Sequence, residues 1–331
     1  MSFCGDCDTI HTSGTREMKR HIGLVVVFSA FLPPPPAYAD VLSLNDALRA
    51  TYTACVGIDD ELADLKTMAG INTAITSVGT ATGVGATVTG LVKADKDKQI
   101  EIKLEKLREI EQKNPDLQST DAEWDNFESG LKTELANAKI EVEKYQAEIE
   151  KLNQQSKKLG NWRTGLMAGA TATNAAGAII AGTNKVDADL QTQINNCISS
   201  VASLRNSMMQ ARINGEDVSE AETIASACGE YEYVDVSKIN NRAKGAFVSS
   251  TVGAATGLAG TITSASANSN KIREAQGDAA QQKEKNLNTA SNVLAGATTV
   301  ASATATVFNA TQISAIKKVA AVAEKCTGVL K

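Results

Sequence analysis

Histidine is almost missing from this chain: its 331 residues include two, His11 and His21, and both fall in the first 39 positions. Aromatics make up only 4%, and four of the five prolines stand together at positions 33–36. From Asp40 onward there is no histidine, and Pro115 is the only helix-breaking proline.

Each absence excludes something. Without imidazole, residues 40–331 cannot form a Ser-His-Asp or Cys-His pair, a His-x-Glu deaminase site or a zincin helix. Carboxylate acid-base chemistry stays formally open, yet Asp and Glu occupy solvated positions of charged repeats and no pair has an apolar surround. Gly79, Gly83 and Gly85 lack the Gly-Lys-Ser/Thr that a phosphate loop requires. These gaps predict a protein that is not an enzyme, with no catalytic, cofactor or metal residues. A net charge of -5 and a pI near 5.3 offer no electrostatic footprint for nucleic acid.

Lys19, Arg20 and His21 precede an apolar run, Ile22 to Leu32, and Ala37-Tyr38-Ala39 then supplies a small-x-small cleavage pattern. Residues 1–39 are therefore expected to be a secretory signal peptide, with Met18 as a candidate true start. The run is too short to span a bilayer. Cys4-Gly-Asp-Cys7 would leave with the signal, so its Cys-x-x-Cys spacing carries little weight. The remainder is expected to be exported, to a periplasmic or extracellular location, with envelope-membrane association as the alternative. Its four cysteines, Cys55, Cys197, Cys228 and Cys326, are an even number and predict two disulfides.

Periodicity predicts an all-α fold: an elongated up-down helical bundle with coiled-coil hairpins. Leu131, Leu135, Ala138, Val142, Tyr145, Ile149, Leu152, Ser156, Leu159 and Leu166 follow one another mostly in alternating steps of four and three, a heptad seam among Glu and Lys. Ile100, Leu104 and Leu107 give a matching stripe before Pro115, and Thr120-Asp-Ala-Glu123 reads as a capping box. Four uncharged segments alternate with the charged ones: 67–92, 164–184, 245–270 and 286–316. Small residues recur in them at helical spacing, which allows close helix approach. The expected packing positions are Gly79, Gly83, Gly165, Gly169, Gly177, Gly253, Gly257 and Gly296.

The chain also repeats itself. Residues 76–90 align without gaps on residues 250–264, and Ala168-Gly-Ala-Thr171 matches Ala295-Gly-Ala-Thr298. The cysteines keep the same register: Cys55 precedes Gly79 by 24 positions, and Cys228 precedes Gly253 by 25. A duplication follows, with residues 40–212 as a first hairpin and 213–331 as a second. Turns are expected at Ile213-Asn-Gly-Glu216, at Gln276-Gly-Asp278, and at either Pro115 or Gly130, which would put all four cysteines at one level. Pairing Cys197 with Cys228 and Cys55 with Cys326 is slightly preferred for its short local loop; Cys55 with Cys197 and Cys228 with Cys326 respects the duplication equally.

Two functional classes remain. The first is a soluble exported bundle whose coiled-coil surfaces bind a protein partner or a second copy; it would be recovered in the soluble fraction after alkaline extraction. The second is a membrane-inserting helical protein that uses the four uncharged segments. Those segments are long enough to span, and each is bordered by cations: Lys66 and Lys93, Arg163 and Lys185, Lys244 and Lys271, Lys285 and Lys317. Asn72, Asn174, Asn268 and Asn309, with frequent Thr and Ser, count against insertion.

Overall fold

The computed structural model describes residues 42–115, 129–269 and 278–331. The signal-like segment, the capping box and Lys271 lie outside those residues. Among the described residues seven α-helices run in order: α1 (Leu44–Cys55), α2 (Ile58–Lys113), α3 (Ser129–Thr183), α4 (Ala188–Ile213), α5 (Ser219–Gly229), α6 (Ser237–Ala267) and α7 (Asp278–Leu330), with a 3-10 turn at Glu230–Tyr233 after α5. No strand occurs among the described residues.

Local chemistry fixes the breaks between helices. Ser43 caps α1, accepting from the Asp46 amide at 3.2 Å. Gly57, at φ +88°, takes the left-handed conformation that turns α1 into α2, and Gln193 Nε2 donates to the Val56 carbonyl there at 2.9 Å. Asp59, Asp60 and Glu61 place negative charge at the positive end of the α2 dipole. α2 stops at Asn114 before Pro115, and α3 is already helical at Ser129 and Gly130; the residues between lie outside those described. Gly215, at φ +78°, ends α4 within the Ile213–Glu216 turn. The Gln276-Gly-Asp278 turn lies outside the described residues up to Asp278, where α7 begins.

The four long helices form a ring in which α2 packs on α3, α3 on α6, α6 on α7 and α7 back on α2. Chain direction alternates around that ring, so each of the two hairpins, α2–α3 and α6–α7, runs up and back. Below it, α1, α4, α5 and the 3-10 turn form a base. The apolar core is concentrated there: Ile58, Leu62, Leu190, Ile194, Val201, Leu204, Ile224, Tyr231, Ile239 and Ile316 are all buried. Above the ring, α2 and α3 continue as a coiled-coil arm, with Leu135, Ala138, Leu152 and Ser156 of the heptad seam buried and Lys103 pairing across to Glu148.

The disulfides join Cys55 to Cys197 and Cys228 to Cys326, with Cα separations of 4.8 and 4.5 Å. This corrects the pairing preferred from loop length. All four cysteines are buried in the base, and the Sγ atoms of Cys55, Cys197 and Cys326 lie within 4.8 Å of one another. In the folded base the four lie close together, so loop length does not discriminate between pairings. The bonds instead follow the helix pairs, α1 against α4 and α5 against α7.

Candidate functional site: an inside-out bundle and its buried charges

Between base and arm, burial runs opposite to that of a water-soluble bundle. The inward positions are small or polar: Asn72, Thr76, Gly79 and Gly83 on α2, Asn174 and Gly177 on α3, Ser250, Gly253 and Gly257 on α6, Ser302 and Asn309 on α7. The large apolar side chains face outward. Ile71, Val78, Val84, Val88 and Leu91 on α2, Phe247, Val252, Leu258 and Ile262 on α6, and Val293, Val300 and Val307 on α7 are all exposed, Val300 at 67%. The outward line of α3 is mostly Ala and Gly, with Ile179 and, at its upper end, Trp162 at 71%.

Two stretches, Leu44–Lys113 and Ala279–Leu330, contain 18-residue windows with mean hydropathy of 1.3 and 1.2, yet only 28% and 33% of those windows are buried. A helix at the centre of a soluble protein would be buried over most of such a window. The exposed belt on α2 runs from Ile71 to Val92, a rise of about 32 Å.

The inward polar groups are largely satisfied within the bundle. Asn72 Nδ2 donates to Asn309 Oδ1 at 2.9 Å, and Asn174 Nδ2 donates to Ser302 Oγ at 2.7 Å. At the base end, Gln312 Nε2 donates to the Asn184 carbonyl at 2.7 Å. Outward hydroxyls fold back onto their own helix: Ser77, Thr251 and Thr304 donate to the carbonyls of Thr73, Phe247 and Val300 at 2.7 to 2.8 Å. Such back-bonding leaves little polarity on the outer surface.

Glycine makes the close approach possible. A Cβ on Gly79 would lie 2.7 Å from Thr173 Oγ1, one on Gly177 2.8 Å from Thr76 Cγ2, and one on Gly253 2.8 Å from Asn174 Cγ. At Gly83 and Gly257 backbone is also close, Thr299 Cα at 3.2 Å and Thr171 Cα at 3.3 Å. Gly169 has only Thr82 Cγ2 at 3.8 Å, and Gly165 and Gly296 have nothing within 4 Å, since they face out of the ring. Gly90 and Gly260, which the four-residue spacing did not single out, are buried against Asn292 and Met167.

Where the belt meets the arm, a charged network closes the bundle interior. Arg163, 1% exposed, donates from Nε to Ser264 Oγ at 3.1 Å, from Nη1 to Asn292 Oδ1 at 2.8 Å and from Nη2 to Asn288 Oδ1 at 3.2 Å. Lys93, also 1% exposed, pairs with Asp97 at 2.6 Å and Glu284 at 3.4 Å. Asp97 accepts in addition from Ser156 Oγ at 2.5 Å. All four long helices contribute to this cluster. Lys93 and Arg163, two of the cations that border the uncharged segments, thus turn inward onto carboxylate and amide oxygens.

Among the described residues the concavity between α1 and α4, lined by Asp46, Arg49, Thr192 and Gln193, is an open surface groove. No protein-family model, curated protein or solved structure matches this chain, so its function rests on the geometry.

Proposed function

We propose that this protein is a non-enzymatic, exported, membrane-embedded helical bundle: the second of the two classes, with the partner-binding role of the first kept for its arm. The observation that carries the proposal is the inversion of burial. Water drives large apolar groups inward. In lipid, helices associate through small residues and interhelical hydrogen bonds, and Val, Ile, Leu and Phe face out. The belt height of about 32 Å fits a hydrocarbon core of about 30 Å. Of the four asparagines that counted against insertion, Asn72, Asn174 and Asn309 are 0% exposed, and Asn268 is half-buried at the end of α6.

Topology is consistent with this proposal. Four crossings return the chain to the side on which it began, so the helices that carry both disulfides share one face of the bilayer. That face would be the oxidising, exported one. The coiled-coil arm then projects from the opposite face and offers its charged surface to a protein partner or to another copy.

Alkaline extraction of membranes is expected to leave the protein in the pellet. Val300→Asp provides the sharper test. On a water-facing surface such a change costs within about 0.5 kcal/mol, whereas at the middle of a spanning helix it costs about 2.5–3.5 kcal/mol. Loss of the variant from the membrane fraction is expected; soluble wild-type protein with an unperturbed variant would overturn the proposal.

A further inference from the structure

We infer that a belt of six cations at the base end, Lys66, Lys185, Arg242, Lys244, Lys317 and Lys318, binds the phosphates of anionic phospholipids in the leaflet on the disulfide side; this rests on the membrane proposal above.

The six come from, or directly follow, all four long helices, and cross-helix hydrogen bonds hold them near one level. The Asn184 amide donates to the Leu65 carbonyl at 3.1 Å and accepts from the Ala69 amide at 3.0 Å, which sets Lys185 beside Lys66. Asn240 Nδ2 donates to the Val186 carbonyl at 3.1 Å, and Arg242 Nη1 donates to Thr311 Oγ1 at 3.1 Å, which bring the starts of α6 and the lower part of α7 to the same height. Every one of the six is exposed, and none forms an ion pair among the described residues. Two neighbouring carboxylates are engaged at helix starts: Asp187 accepts from the Leu190 amide and Asp235 from the Ser237 amide.

The other rim of the apolar belt differs. There Lys93 and Arg163 are buried in the charged network, and Lys285 lies 4.0 Å from Glu101. Of the described cations that border the four uncharged segments, those on the base rim are thus the ones that stand exposed without an ion pair, close to exposed Phe247 and Ile71, while Lys98, Lys158 and Lys283 are exposed beyond the other rim. Long cationic side chains at the edge of an apolar belt reach into the headgroup layer. Phosphate there is their matching counter-charge, and each cation near an anionic surface favours it roughly fivefold.

The test uses the purified protein in vesicles of phosphatidylcholine with or without phosphatidylglycerol, each lipid in turn carrying brominated acyl chains. Tryptophan is placed on the base rim as Phe247→Trp in a background of Trp124→Phe and Trp162→Phe; retained Trp162 alone reports the other rim. Brominated phosphatidylglycerol is expected to quench the base-rim tryptophan at least twofold more than brominated phosphatidylcholine, with a smaller excess at Trp162. The combined change K66E, K185E, K244E and K317E should abolish the difference while quenching by both lipids persists. Glutamine at the same four positions does the same should the reversed charges impair folding. Equal quenching by both lipids at the base rim overturns the inference and leaves membrane embedding intact. Quenching by neither lipid at either tryptophan refutes embedding itself.

Discussion

Alanine at position 83 would place a methyl group 2.7 Å from Thr299 Oγ1 and 3.2 Å from Thr299 Cα. The hydroxyl is held by the Ala295 carbonyl at 2.9 Å, and the Cα belongs to the backbone of α7. Neither can rotate aside. Carbon atoms pack comfortably at about 3.5–4.0 Å, so α2 and α7 must part locally by about 0.5 Å. Overpacking of this kind costs roughly 1–3 kcal/mol, offset by about 1 kcal/mol from replacing a mid-helix glycine with alanine. Gly83→Ala should therefore destabilise by up to about 2 kcal/mol, and Gly257→Ala, facing Thr171 Cα at 3.3 Å, should behave alike. Gly165 and Gly296 have open space at the same point, so alanine there should stabilise by up to about 1 kcal/mol. One substitution thus takes opposite signs at four glycines of similar sequence context. Chemical unfolding in detergent, followed by far-ultraviolet circular dichroism, reads the sign as a shift of midpoint at constant slope. If Gly83→Ala and Gly165→Ala move the midpoint equally in one direction, the assignment of inward and outward faces is wrong.

Arg163→Met removes three hydrogen bonds and leaves the amide oxygens of Asn288 and Asn292 without their donor; a loss of about 2–4 kcal/mol is expected in the same unfolding assay. Arg163→Lys should recover only part of it, since an ammonium cannot span three separated acceptors as the guanidinium does. At the start of α6, the Ser237 hydroxyl bond, with Lys238 nearby, holds the Asp235 carboxyl below its ordinary value of 3.8. Because its folded pKa is depressed, its contribution is complete above pH 3.8 and is lost as pH falls through the lower folded value. Asp235→Asn should lower the neutral plateau slightly and leave the acid end unchanged, so that the midpoint falls less with decreasing pH; an identical pH dependence in both proteins would contradict this.

Helix, hairpin and turn were legible because their signals are local. The heptad seam through Leu135 and Leu152, the glycine register around Gly79 and Gly253, and Asn214-Gly215 each announce themselves within a few residues. Which face of a small-residue helix points inward was not. On α3, Gly and Ala occupy every side, so the period that selected Gly177 selected Gly165 equally well. The discriminating signal lay in the large residues: Val78, Val88 and Leu91 cluster opposite Asn72, Thr76 and Gly83 on α2. Asn and Thr weighed against insertion only while their side of the helix was unknown. Lys93 carries an inward clue in Asp97, four residues on, and Arg163 has one in Asn288 and Asn292, one turn apart on a distant helix. The base was least legible. α5 and the 3-10 turn are too short to show a period, and Tyr231, 0% exposed, is buried in the apolar core of the base.

The two bridges follow one another along the chain without interlacing, since both members of the first, Cys55 and Cys197, precede Cys228 and Cys326. A polypeptide emerging from its N-terminus meets its cysteines in that same order. The first hairpin can therefore be fastened while the second is still being made, and the second can then dock onto a partner already locked. The opposite arrangement, with Cys55 waiting for Cys326, would have left the first hairpin unfastened until nearly the last residue appeared. Adjacent pairing gives this protein two successive checkpoints in assembly, each closed by the half that has just arrived.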